Sequence, residues 1–192
     1  MSADIPAQVR TRIAEAIATQ TGLLEQVDAI AAAAGALTDS LRAGGQVLLC
    51  GNGGSATDAL HLAGELVGRF YKDRAPLPAL ALVANPAAVT AIANDYGYEE
   101  VFARQVRGLG RPGDVLIGLS TSGTSPNVVA AMVAAREGGL TRIAMTGRDG
   151  GPLADAADHV IAVPSDTTPR IQEGHILAGH VLCELAEAWL FG

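Results

Sequence analysis

The stretch Val115-Leu-Ile-Gly-Leu-Ser-Thr-Ser-Gly-Thr-Ser-Pro126 decides the fold of this chain. Its apolar start predicts a buried strand, its small hydroxyl residues predict a loop, and Pro126 opens a helical pattern. A second stretch, Cys50-Gly-Asn-Gly-Gly-Ser55, has the same layout between an apolar run and a helical pattern. A helix start offers unpaired backbone N–H groups and a partial positive charge. Two such loops therefore predict a site for a phosphorylated ligand.

Alternating strands and helices follow two leading helical patterns at 7–20 and 23–43. Near-continuous apolar strands of this kind indicate a parallel sheet that is covered on both faces, in an α/β fold. The leading helices are apolar and rich in alanine, so we expect them to form a subunit interface. The predicted strands are 47–50, 79–83, 115–119, 141–145 and 159–163. The predicted helices between and after them are 55–70, 86–93, 99–108, 126–136 and 171–190.

Composition narrows the classes of function. The chain has 192 residues and a formal net charge of −7, with only 13 lysines and arginines, which disfavours a broad nucleic-acid surface. No apolar run reaches the ~18 residues of a membrane span. The start of the chain lacks the pattern of a signal peptide, so we expect a cytoplasmic protein. Cys50 and Cys183 are expected to be buried, reduced side chains.

The hydroxyl loop has two interpretations. Ser120, Thr121, Ser122 and Ser125 favour a ring of donors around a phosphate, whereas an ordinary strand-to-helix turn would use one hydroxyl, here Ser125, as a helix cap. The spacing of a Rossmann or a Walker loop is absent. In the second loop, Ser55 and Asp58 have the spacing of a capping box.

Two helices carry side chains that suit metal binding or acid–base chemistry. His61 and Glu65 lie one turn apart on the helix after the Cys50–Ser55 loop, which is the spacing of a ligand pair and equally of a surface ion pair. Arg69 follows Glu65 at the same spacing and is a candidate partner of Glu65, of a substrate or of a neighbouring chain. On the last helix, Gln172 and His180 fall on one side, whereas His175 points elsewhere and is predicted to be structural or interfacial.

Asn94 and Asp95 interrupt two helical patterns. Both residue types favour turns, because their side chains bond to nearby backbone groups. The alternative is that they recognise sugar hydroxyls.

Taken together, these segments resemble the phosphoheptose isomerases of the sugar isomerase (SIS) domain family. The resemblance runs through most of the chain. It implies a five-stranded parallel sheet in a flavodoxin-like three-layer sandwich, with residues 1–45 as a helical oligomerisation segment and 46–192 as the sugar-phosphate-binding domain. It also implies a homotetramer with active sites between subunits, without nucleic-acid or membrane partners.

The resemblance also implies the reaction and the roles of individual residues. Sedoheptulose 7-phosphate would become D-glycero-D-manno-heptose 7-phosphate through an enediol, as the first step toward nucleotide-activated heptoses for surface glycans. Glu65 would act as base and His180 as acid. One Zn²⁺ per subunit would be bound by His61, Glu65, Gln172 and His180. The implied substrate contacts are Asn52, Gly53, Gly54, Ser55, Glu65, Arg69, Asn94, Asp95, Ser120, Thr121, Ser122, Ser125 and Gln172.

One position departs from the family. Some relatives carry an acidic residue where this chain has Pro169, whose side chain offers no hydrogen bond. Two other functions fit the same fold: a non-catalytic protein that binds a partner in replication initiation, and an isomerase or related enzyme for another sugar phosphate. The four predicted metal ligands favour catalysis over the first of these, because a scaffold does not need them.

Overall fold

A computed structural model describes residues 4–192 and contains a five-stranded parallel sheet in the order β2-β1-β3-β4-β5. This is the order of doubly wound flavodoxin-like folds, so the predicted fold class is confirmed. The strands are β1 Val47–Gly51, β2 Ala79–Ala81, β3 Val115–Ser120, β4 Thr141–Gly147 and β5 His159–Val163. The helices are α1 Ile5–Gly22, α2 Val27–Arg42, α3 Gly54–Val67, α4 Pro86–Tyr96, α5 Glu100–Leu109, α6 Pro126–Glu137, α7 Gly151–Asp155 and α8 Thr168–Phe191.

Two hydrophobic layers cover the sheet because successive strand residues point to opposite faces. Leu49 and Ile117 belong to the layer beneath α2, α3 and α8. Leu48 and Leu116 belong to the layer beneath α5 and α6. The connections after β1 and β3 therefore leave toward opposite faces, and a crevice opens between the ends of these two neighbouring strands.

Several local predictions were wrong. The helix predicted from Ser55 begins at Gly54, after Gly53 with φ +54°, so Ser55 lies inside α3 and forms no capping box with Asp58. Asn94 and Asp95 belong to the last turn of α4, which ends at Tyr96 and is capped by Gly97. Strand β2 stops at Ala81, and a single 3₁₀ turn at Leu23–Gln26 precedes α2. The short helix α7 was not predicted.

Both cysteines lie in the interior, as predicted. Burial raises the pKa of Cys50, at the end of β1, to about 12, and that of Cys183, in α8, to about 12. None of the helices within residues 4–192 has the length and apolar character that a membrane crossing demands.

Helices α3 and α8 run side by side in the same direction and touch at Gly179. A Cβ added at Gly179 would lie 2.6 Å from the Leu62 side chain, closer than real side chains approach. Gly179 therefore lets the two helices pack at their observed separation, even though glycine is a poor helix former.

Gly179→Ala should lower the free energy of unfolding by about 1 kcal/mol or more, because overlap with Leu62 outweighs the gain in helix propensity. Leu62→Ala alone should cost about 2–5 kcal/mol as a cavity substitution. In the Leu62→Ala background, Gly179→Ala should become neutral or stabilising. Urea unfolding at a fixed protomer concentration measures all four members of this cycle, and additive effects would contradict the proposed contact.

Candidate functional site

The hydroxyl loop converges on one point at the end of β3. The Ser120 Oγ lies 2.9 Å from the Ser125 Oγ and 3.5 Å from the Ser122 Oγ. Ser125 occupies the N-cap position of α6 as predicted, but its hydroxyl bonds to Ser120 rather than capping the helix. Thr124 adds a further hydroxyl, 2.9 Å from that of Ser122. The cluster thus offers several donors next to a helix start, as an anion site requires.

Glycine at position 123 shapes this loop. Its φ is +66°, and an added Cβ would overlap the carbonyl group of Gly150. The Gly123 carbonyl in turn accepts a hydrogen bond of 3.0 Å from the backbone of Leu153 in α7. Helix α7, which was not predicted, therefore holds the hydroxyl loop in place through this backbone contact.

A polar hollow of about 270 Å³ adjoins the loop beyond the ends of β3 and β4. Thr121 and Ser122 line one side of it, and Arg148 and the start of α8 at Thr168 line another. Asp149 and Asp166 also line the hollow, and the Asp166 carboxylate lies 3.4 Å from the Arg148 guanidinium. The favourable groups for an anion are therefore the hydroxyl groups and the N-terminal end of α8 rather than a free guanidinium.

The first glycine loop lies beside the hydroxyl loop. Asn52, between β1 and α3, exchanges two side-chain hydrogen bonds with Asn127 in the first turn of α6. Gly54 lies directly against the Gln172 amide of α8. The two predicted ligand loops and the last helix thus meet at the crevice between β1 and β3.

Two imidazoles and a carboxylate form a cluster where α3 and α8 face each other. The Nε2 atoms of His61 and His180 are 2.8 Å apart, and the His61 Nε2 lies 3.4 Å from the Glu65 Oε1. One potential ligand atom from each of the three residues lies within 4.8 Å of the others. Nitrogen and carboxylate oxygen donors at this separation fit a zinc ion.

A buried ion pair, which the sequence did not reveal, fixes the end of α3. The Glu187 carboxylate of α8 accepts backbone hydrogen bonds from residues 70, 71 and 72, each between 2.8 and 3.0 Å, and a 2.8 Å bond from the Arg74 Nε. Burial alone would raise the pKa of Glu187, but these four donors lower it to about 2. Arg74 also donates to the backbone carbonyl of Glu65. Both groups are almost fully buried.

The remaining predicted residues lie apart from this cluster. Arg69 follows the end of α3, is exposed, and forms no ion pair with Glu65 among the described residues. Asn94 and Asp95 bond to each other, and within residues 4–192 no hydrogen bond joins them to another predicted site residue. A ligand role for Gln172 and substrate roles for these residues stay predictions.

Asp58 lies one turn before His61 on α3. Burial raises the pKa of its carboxyl, and the nearby His61 only partly opposes that effect. One of its carboxylate oxygens is buried and has no hydrogen-bond partner in the described part of the chain. Its spacing from Ser55 predicted a cap instead, so this half-buried acid next to the cluster was missed.

Comparison with known proteins decides the family. A family model described as the SIS domain matches residues 11–147, which is more than half of the chain. The chain belongs to the SIS domain family. The resemblance that the motifs suggested is therefore confirmed.

Relatives and solved structures agree with this assignment. The chain is 58% identical to the phosphoheptose isomerase of Rhodospirillum rubrum over 83% of this chain and 85% of that protein. It is 52% identical to the phosphoheptose isomerase of Akkermansia muciniphila over 93% of this chain and 91% of that protein. The phosphoheptose isomerase structure from Neisseria gonorrhoeae superposes with a TM-score of 0.91 at 43% identity, covering 96% of this chain and 99% of that one.

His175 lies in the interior, away from the cluster, which fits the structural role predicted for it and not the interfacial one. It is completely buried in α8, and neither ring nitrogen has a hydrogen-bond partner among residues 4–192. Burial lowers the pKa of His175 to about 4. The nearby Thr146 backbone partly opposes this lowering, although it forms no hydrogen bond of good geometry with the ring. The folded protein therefore holds the imidazole neutral.

This burial predicts a pH dependence of stability. Below pH ~6.5 His175 is protonated in the unfolded chain, whereas in the folded chain it stays neutral down to pH ~4. As the pH falls through this range, the free energy of unfolding should therefore decrease by up to about 1.4 kcal/mol per pH unit. His175→Leu should flatten the slope between pH 7 and 5, whereas His159→Gln, in β5, should keep it. Urea unfolding of the three proteins in chelator measures the slopes, and parallel curves for wild type and His175→Leu would contradict the assignment.

Proposed function

We propose that this chain interconverts sedoheptulose 7-phosphate and D-glycero-D-manno-heptose 7-phosphate through an enediol, as the first step in making activated heptoses for surface glycans. The observation that carries the proposal is that His61, Glu65 and His180 meet between α3 and α8, and that the start of α8 adjoins the hydroxyl loop. The two relatives named above, at 58% and 52% identity, support the same reaction.

The phosphate group is held by the hydroxyl loop. Ser120, Ser122 and Ser125 present hydroxyl groups, and the start of α6 adds backbone N–H groups and a partial positive charge. The loops after β1 and β3 lie at the same edge of the sheet, so the sugar extends from the phosphate across the crevice toward α3. Asn52, Gly53, Gly54, Ser55, Thr121 and Gln172 are the remaining contacts proposed within one subunit.

Proton transfer belongs to the carboxylate and imidazole cluster. Interconversion of a ketose and an aldose removes a proton from one carbon and returns it to the neighbouring carbon, which requires a base, while an acid manages the proton on the adjacent oxygen. Glu65 serves as the base and His180 as the acid. The Nε2 atoms of His180 and His61 are 2.8 Å apart, so one imidazole donates a hydrogen bond to the other in the absence of an ion; zinc ligation through these nitrogens would replace that bond.

Zn²⁺, one per subunit, is the proposed cofactor. The three clustered side chains offer two nitrogen donors and one carboxylate oxygen, and Gln172 is the proposed fourth ligand. A bound zinc ion would stabilise negative charge on a substrate oxygen as a Lewis acid. The protein's own share is to hold the base and the acid on two neighbouring helices that Gly179 packs together.

A homotetramer, with active sites between subunits, is the proposed assembly. One face of α1 carries an unpartnered apolar stripe, which consists of Ile5, Val9, Ile13 and Ile17, each at least 51% exposed. An apolar hollow of about 260 Å³ between Leu24, Val27 and Val181 continues this surface. Burial of these surfaces by other copies removes them from water. Arg69, Asn94 and Asp95 are exposed and are proposed to complete the site of a neighbouring subunit.

A cytoplasmic location completes the proposal. The two buried, unpaired cysteines suit a reducing compartment.

Glu65→Gln should lower kcat for sedoheptulose 7-phosphate by about 10²–10⁴-fold while the assembly stays intact, because an amide cannot accept the substrate proton. The matched control is Glu100→Gln, which removes a surface carboxylate that pairs with Arg107 and should leave kcat unchanged. Aldose formation and size-exclusion light scattering provide the readouts. Wild-type turnover in Glu65→Gln would exclude this residue as the base, and no turnover by zinc-loaded wild type would exclude the proposed reaction.

His61→Ala should reduce the zinc content of protein purified without chelator, because it removes one of three neighbouring donors. His159→Ala, on β5, is the matched control and should retain wild-type zinc. Elemental analysis per protomer gives the comparison. Equal zinc in the two variants would place the ion elsewhere.

A further inference from the structure

An aromatic ring outside the proposed ligand set lies against the His180 imidazole. The ring centroids of Phe70 and His180 are 5.7 Å apart, and the two ring planes are inclined by 54°. Aromatic rings attract each other at this separation in tilted or edge-to-face pairs. Phe70 follows the end of α3 and is half-buried against the core layer beneath α2, α3 and α8. The imidazole therefore has an apolar neighbour that is not itself a candidate metal ligand.

Helix α8 itself fixes the position of Phe70, through the backbone. The Phe70 N–H donates to the Glu187 Oε2 at 3.0 Å, and the next two backbone N–H groups donate to the Glu187 Oε1 at 2.8 Å. Glu187 lies two helical turns after His180, so the two side chains leave α8 on the same side. The carboxylate is almost fully buried, which keeps water from competing for these bonds. One helix thus carries both the imidazole and the group that holds the ring beside it.

The contact with His61 gives the imidazole a less fixed neighbour. The His61 side chain is 47% exposed, and a bond between two side chains sets their separation rather than the direction of either one. In a helix, χ1 has two readily accessible wells and χ2 of histidine is roughly two-fold, so a free imidazole has about four orientations. Only some of these turn the His180 Nε2 toward His61 and Glu65.

We infer that Phe70 is a positioning residue, which confines the His180 imidazole to the orientation in which Nε2 faces His61 and Glu65. The inference rests on the proposed zinc cofactor in one respect, namely that this orientation is the one that binds the ion. Folding of the chain orders the ring in advance, so metal binding does not have to select one orientation among several. The apparent Kd of a ligand rises in inverse proportion to the fraction of protein in the competent state.

Phe70→Leu tests the inference, because it removes the ring and keeps an apolar side chain at this position. Kd for Zn²⁺, measured by competition with a chromophoric chelator, should rise about two- to fourfold, since as few as one in about four imidazole orientations is then competent. Phe70→Tyr keeps an aromatic ring and should keep the wild-type Kd. Equal Kd values for wild type and Phe70→Leu would overturn the inference.

Phe102→Leu is the matched control for lost packing. Phe102 lies in α5, in the core layer on the other face of the sheet, and is 1% exposed. This variant should lower the Tm of the metal-free protein more than Phe70→Leu does, and it should leave Kd for Zn²⁺ unchanged. An equal loss of zinc affinity in Phe102→Leu and Phe70→Leu would assign the effect to general stability and would overturn the inference.

Room-temperature crystal structures of the metal-free proteins provide a readout that needs neither zinc nor turnover. The His180 imidazole should occupy one orientation in wild type and in Phe70→Tyr, and at least two in Phe70→Leu. The same single orientation in all three proteins would contradict the positioning role. A wild type that binds no zinc would count against the proposed cofactor alone, because these structures would still decide whether Phe70 orients His180.

Discussion

The parallel packing of α3 against α8 is the constraint on which the site depends. Leu62 lies against Gly179, and this close contact brings His61 within hydrogen-bond distance of His180, although 119 positions separate them in the sequence. Two helices that contact through a small residue cannot easily slide past each other, because any shift along the axis brings a larger side chain into the contact. The chemistry of the cluster is therefore a result of how two backbones fit together.

The buried carboxylate of Glu187 extends the same constraint to the end of α3. A carboxylate without water is costly unless each lone pair has a donor, and here backbone groups and Arg74 supply them. Arg74 in turn binds the backbone carbonyl groups of Glu65 and Leu66, the last full turn of the helix. One ion pair thus closes α3, orients the chain that leads to Arg69, and anchors the turn that bears Glu65.

The architecture was predictable from the sequence because five apolar runs alternate with helical patterns, and a chain with that alternation forms a parallel sheet. The predicted start of α3 was wrong because glycine rather than a side-chain cap begins the helix. Gly53 precedes α3, so the capping-box spacing of Ser55 and Asp58 lies within the helix. The Glu187–Arg74 pair was invisible because each residue alone is typical of a surface. Helical spacing placed Gln172 and His180 on one side of α8, but only the family resemblance linked His180 to α3.

The two interior cysteines have a practical consequence. Alkylating reagents attack thiolates, and burial keeps both thiols protonated and out of contact with the reagent. Cys50 is the penultimate residue of β1, next to the glycine loop, and Cys183 lies in α8 against the core. The rate at which an alkylating reagent labels Cys50 thus reports the opening of the sheet, and the rate at Cys183 reports the detachment of the last helix. No engineered probe is needed for either measurement.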